Sequence, residues 1–145
     1  MKTEHLIQMA NSIGGCGGPT IEFQMSGGVF VINKNVGTTT LTCSTVASNL
    51  GAVTVGKYSK FVVHVRPGYQ ASQNPILEVW IDGTKVLTHT DITSSPNSND
   101  YAKIGIYKWD NTWGSVNSRA ASYSPLFFGQ GVDLKANADA AIAAY

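Results

Sequence analysis

Residues 76–89 read Ile76-Leu77-Glu78-Val79-Trp80-Ile81-Asp82-Gly83-Thr84-Lys85-Val86-Leu87-Thr88-His89. Two strand-like runs, Ile76 to Ile81 and Lys85 to His89, flank Asp82-Gly83-Thr84, and Asp-Gly between two such runs predicts a β-hairpin. Working outward, Lys60-Phe61-Val62-Val63-His64-Val65-Arg66 reads as a central strand that Pro67-Gly68 brings to an end. Further upstream, Thr20 to Ser26 alternates Ile21, Phe23 and Met25 with Thr20, Glu22 and Gln24, the period of a half-buried strand. Gly27-Gly28 turns the chain into a strand over Val29 to Asn33, and the Thr-rich Thr38 to Ser44 predicts another with one polar face. Glu4 to Ala10 is a short strand ahead of the loop Gly14-Gly15-Cys16-Gly17-Gly18-Pro19. Downstream, Tyr101 to Trp109 is a strand, and Ser118 to Phe128 supplies one or two more.

Many strands with short turns and no helix between them predict an all-β fold, an antiparallel β-sandwich of the jelly-roll kind, over residues 1–132. Only the tail, residues 133–145, departs from this. There Asp133 is placed to cap a short C-terminal helix through the Ala-rich stretch ending at Tyr145.

The 145 residues suffice for one domain with a sizeable core. Only 13% are charged, so Ser, Thr, Asn and Gly must keep the surface wet. A net charge of +1 with no Lys/Arg cluster excludes nucleic acid as a main partner, because phosphate binding needs a concentrated basic face. No apolar run reaches the roughly 18 residues that span a bilayer, which excludes a membrane helix. Met1-Lys2-Thr3-Glu4-His5 lacks the apolar stretch of a secretory signal, so the expected location is the cytoplasm or an assembled particle. Cys16 and Cys43 have neither metal-site nor redox spacing, and they read as two ordinary buried or loop thiols or, in an oxidising setting, as a pair. His5, His64 and His89 are far apart in the chain, and no pair has zinc spacing, so no metal or other cofactor is expected. No Ser/His/Asp set sits on a recognisable nucleophile turn.

The segment with most chemical content is Tyr101-Ala102-Lys103-Ile104-Gly105-Ile106-Tyr107-Lys108-Trp109. Alternation places Tyr101, Lys103, Gly105 and Tyr107 on one face. Phenol rings stack on sugar faces, an ammonium meets a carboxylate, and a glycine gap lets a ligand approach the backbone. This strand resembles the Tyr-x-Lys-x-Gly-x-Tyr strand of jelly-roll polysaccharide lyases, the alginate-lyase and heparin-lyase-like group with a concanavalin A-like fold. Phe61 to Arg66 and Leu77 to Gly83 are similar to that group's central strand and hairpin, and Ile7-Gln8-Met9-Ala10 is similar to its Gln-x-His strand. The likeness covers roughly residues 5 to 131.

The resemblance implies β-elimination at a uronic acid: one group neutralises the carboxylate, a base takes the C5 proton, and an acid protonates the leaving oxygen. It assigns Tyr107 as the catalytic tyrosine, Lys103 as its strand partner and Gln8 as the neutralising glutamine. Two features depart from the family pattern. Ala10 stands where the family's histidine is expected, and the Arg-x-Glu strand has no counterpart in the chain. An unassisted phenol of pKa about 10 is a poor base at neutral pH. The resemblance therefore implies the fold more firmly than it implies turnover.

Each of these residues also has a plainer reading. Tyr101 and Tyr107 fit sheet-surface aromatics as well as glycan contacts, and Lys103 fits a solvated strand lysine. Trp109 and Trp113, on either side of Asp110-Asn111-Thr112, fit a lid over the sandwich end as well as sugar stacking or a protein interface. Trp80 is expected in the core beside Val79 or Ile81. Three functions follow. The first is a catalytically degenerate glycan-recognition module binding an acidic polysaccharide through Tyr101, Lys103, Tyr107, Trp109 and Trp113. The second is a homo-oligomeric structural protein of a virion, a phage decoration or fibre component. The third is an active lyase on uronate polymers.

Overall fold

The computed structural model describes residues 4–11, 19–39, 42–91, 93–94, 100–107 and 140. Eight strands lie among them: β1 (Glu4–Asn11), β2 (Ile21–Ser26), β3 (Val29–Thr39), β4 (Thr42–Ala52), β5 (Phe61–Arg66), β6 (Ile76–Ile81), β7 (Thr84–His89) and β8 (Asp100–Tyr107). They form a five-stranded sheet in the order β4-β3-β2-β1-β8 and a three-stranded sheet in the order β5-β6-β7. Every pairing is antiparallel. The expected β-sandwich is therefore the observed one.

Alternation in the strands builds the core. Ile21 and Phe23 of β2, Phe30 and Ile32 of β3 and Leu50 of β4 are buried against Leu77 and Val79 of β6. Phe61 of β5 meets Phe23 edge-on at 4.6 Å and Phe30 at 4.9 Å between ring centres, which ties the two sheets together.

The Asp-Gly hairpin is present with its turn one residue shorter than expected. Asp82 (φ 50°) and Gly83 (φ 81°) both adopt the left-handed backbone that a two-residue primed turn requires, and Thr84 already belongs to β7. Asp82 has a second role: its Oδ1 accepts the Lys60 N–H at 2.9 Å, and its own N–H donates to the Lys60 carbonyl at 2.9 Å. The turn thus pins the entry to β5.

Several expectations are corrected. Among the described residues the strand over 61–66, β5, pairs with β6 alone. Thr38 to Ser44 is not one strand: its ends belong to β3 and β4, which pair from Val29↔Ala52 to Thr39↔Thr42. The β3 strand also runs well past Asn33. Trp80 is buried as expected, on the face of β6 opposite to that of Leu77 and Val79. It shares a rung with Val62 and Lys85, and the Lys85 ammonium lies 4.8 Å from its ring centre. Cys16, the strands expected over Ser118 to Phe128 and all of the tail except Ala140 lie outside the described residues.

Candidate functional site

The strand β8 pairs with β1, and the register sets Lys103 opposite Gln8 and Tyr101 opposite Ala10. Gly105, at φ 147°, sits where three steps along β8 (Ile104 to Tyr107) match two along β1 (Ile7 to His5). That extra residue is a bulge, and a glycine accommodates its backbone. The glycine of the Tyr/Lys/Gly/Tyr strand therefore serves register here. Its consequence is that Tyr107 falls opposite His5, on the rung that continues to Gln24.

Exposure on this face is uneven. Tyr101 is 46% exposed, Lys103 is exposed, and the Lys103 ammonium lies 5.2 Å from the Tyr101 ring centre. One strand inward, Gln8 is buried, and its Nε2 donates to Oε1 of buried Glu22 at 2.7 Å. The rung Lys103–Gln8–Glu22–Asn33 thus runs from an exposed cation to a buried amide–carboxylate pair. The structure brings Gln8, Lys103 and Tyr101 together on neighbouring strands and places the Tyr107 backbone at the end of β8. The side chain of Tyr107, with Trp109 and Trp113, lies outside the described residues.

The sequence profile of the family described as polysaccharide lyase matches residues 2–124. The chain belongs to the polysaccharide lyase family. Among solved structures, it is similar to that of the endo-beta-1,4-glucuronan lyase from the fungus Trichoderma reesei, with a TM-score of 0.63 and 16% identity. The match covers 83% of this chain and 54% of that one, so the chain spans about half the length of the fungal protein. No curated protein matches the sequence significantly. The resemblance drawn from the Tyr/Lys/Gly/Tyr strand and the hairpin thus agrees with the family match and with the sandwich fold. All the candidate residues, Gln8, Tyr101, Lys103, Tyr107, Trp109 and Trp113, fall within the matched lyase-family region.

Residue types alone did not single out Glu22 on this face or the register position of His5. Glu22 carried a signal, because alternation with Ile21 and Phe23 puts it on the side of β2 that also carries Gln24. His5 carried none, because its position opposite Tyr107 depends on bulges that residue types do not announce.

The outer face of the three-stranded sheet holds a second polar group in this lyase-family domain. Glu78 accepts from Lys85 Nζ at 2.5 Å through Oε1 and meets His64 Nδ1 at 3.0 Å through Oε2. The hydrogen bond from Lys85, then that from His64, holds the Glu78 carboxyl below its ordinary value of 4.5, against a smaller opposing effect of burial. A carboxyl whose folded pKa is depressed stabilises the fold above its unfolded pKa and loses that contribution as pH falls through the folded value. Melting temperature measured from about pH 5 down to about pH 3 should therefore fall less steeply for Glu78→Gln than for the parent. Equal slopes would show that the cluster does not contribute.

Proposed function

We propose that this lyase-family domain recognises an acidic polysaccharide at β8, the outermost strand of its five-stranded sheet among the described residues, and does not cleave it. The observation that carries this reading is the buried hydrogen bond from Gln8 to Glu22. In the elimination chemistry that the resemblance implies, the Gln8 amide neutralises the substrate carboxylate. Here that amide already serves a protein carboxylate, and a uronate can engage it only by breaking a buried hydrogen bond. Ala10 removes the family's base from the same strand. Lys103, about 4.8 Å away across one strand spacing, keeps an exposed ammonium for a uronate, and Tyr101 offers a ring beside it.

A hydrogen bond between charged groups contributes about 1.5–3 kcal/mol, and exposure places Lys103 at the lower end. Lys103→Ala is thus expected to weaken calorimetrically measured binding of polyglucuronate about tenfold, and raised salt should weaken the parent's binding. Tyr101→Phe should retain affinity and Tyr101→Ala should lose part of it. Unchanged affinity in Lys103→Ala would remove the β8 edge from the account.

One observation favours a second reading. The backbone register pairs His5 with Tyr107, the residue that the resemblance assigns as the catalytic tyrosine, and an active lyase needs a base near that residue. That reading predicts an unsaturated uronate product that absorbs in the near ultraviolet, lost in both Tyr107→Phe and His5→Ala.

A further inference from the structure

At the edge of the sandwich where β4 of one sheet meets β7 of the other, four polar side chains form a chain of contacts. Ser48 lies opposite Ile32 and shares its inward face, and His89 lies opposite Leu77. Ser48 Oγ is 3.1 Å from His89 Nε2, and Asp91 Oδ1 is 3.4 Å from His89 Nδ1. The Lys34 ammonium, on a side chain only 2% exposed, holds the same Asp91 oxygen at 2.5 Å.

We propose that Ser48, His89 and Asp91 form a reactive centre, a serine nucleophile with its base and an orienting carboxylate, that hydrolyses small carboxylic esters. The two imidazole nitrogens are used in the order this chemistry needs. The carboxylate 3.4 Å from Nδ1 favours the tautomer that carries its proton there, and in that tautomer the Nε2 lone pair accepts the Ser48 hydroxyl. Asp91, held by Lys34, lies beside the ring, and with Ser48 and His89 half-buried and Asp91 exposed the cluster sits at the protein surface. Among the described residues β4 is an edge strand, and such a strand presents unpaired backbone N–H groups, which are donors suited to an oxyanion.

In the reaction Ser48 Oγ bonds to the ester carbonyl carbon while its proton passes to His89 Nε2. The C–O bond to the alcohol breaks as His89 returns the proton to the leaving oxygen. Water, deprotonated by His89, then attacks the acyl-serine, and the carboxylic acid departs as Ser48 regains its proton. Because Lys34 shares the Asp91 carboxylate, the centre is weaker than one with an unshared acid, and activated esters rather than amides are its substrate class.

The inference does not rest on the glycan face, and its test is separate. The full chain is incubated with 4-nitrophenyl acetate, and nitrophenolate release is followed. In parallel the native protein is treated with a fluorophosphonate, and its peptides are weighed. The expected results are label on Ser48 and about a hundredfold lower turnover in both Ser48→Ala and His89→Gln, with melting checked for each. Hydrolysis no faster than with free imidazole at equal concentration, or labelling that avoids Ser48, would overturn the proposal. The labelling arm needs no variant, so a poorly folded substitution leaves it decisive.

Discussion

Phe23→Ala is expected to lower the free energy of unfolding by about 3–5 kcal/mol, the usual cost of emptying a buried phenylalanine site. Phe23 is 3% exposed, stacks on Phe30 at 5.7 Å and takes the edge of Phe61 at 4.6 Å. Phe61 comes from the other sheet, so the truncation removes contacts on both sides of the sandwich. Main-chain hydrogen bonds hold Phe23 opposite Ile32 and Ile7, and strands so fixed cannot close fully around the gap. Urea unfolding followed by Trp fluorescence would measure the loss. A change below about 1 kcal/mol would mean that the three rings do not form the inter-sheet contact described.

Asp91→Ala is expected to cost about 2–3 kcal/mol, and Lys34→Met markedly less. Lys34 shares the inner face of β3 with Phe30 and Ile32. Removing Asp91 leaves a buried ammonium without its carboxylate, whereas methionine fills similar space with no charge to satisfy. Losing one partner of a fully buried pair costs more, but Asp91 is 63% exposed, and water reaching that end of the contact reduces the penalty. Burial works against ionisation of Asp91, yet the hydrogen bond and charge of Lys34, with its own backbone N–H and His89, together hold its carboxyl below the ordinary value. The informative quantity is the order of the two variants in denaturant. If Lys34→Met proved the more damaging, the ion pair itself would be a net source of stability.

What could be read in the sequence followed the strength of local patterns. The Asp-Gly turn between β6 and β7 was legible because so few residues accept φ above zero twice in succession. The strand β2 was legible because its apolar residues alternate cleanly. The strand β4 was not: Thr42-Cys43-Ser44-Thr45-Val46-Ala47-Ser48-Asn49 has no apolar stripe, and Ser44 to Ala47 are exposed. An edge strand of that composition is fixed by its long pairing with β3, a tertiary fact with no local signature. For Trp80 the burial was legible and the face was not. Hydrophobicity predicted burial correctly, but Leu77 and Val79 claim the core face of β6, and alternation sends Trp80 to the other side.

The candidate site divides in the same way. Lys103 and Tyr101 share a face because alternation within one strand requires it. That Gln8 lies beside Lys103, with its amide held by Glu22, depends on register between strands more than 90 residues apart in the chain. The pairing of Tyr107 with His5 depends on a bulge at Gly105, a residue that from sequence alone reads equally well as a gap for a ligand. Ser48 stands on β4, His89 ends β7 and Asp91 lies just beyond it, and only the closure of the sandwich brings them together.

The most direct test of the central claim joins binding and turnover in one sample. The chain is titrated calorimetrically with polyglucuronate, and the near-ultraviolet absorbance of the same mixture is then followed over hours. Saturable, salt-sensitive heat with no growth in absorbance is the expected result. A steady rise in absorbance would contradict it, showing that the Gln8–Glu22 pair does not prevent elimination, and absence of binding heat would remove the polysaccharide from the β8 edge altogether.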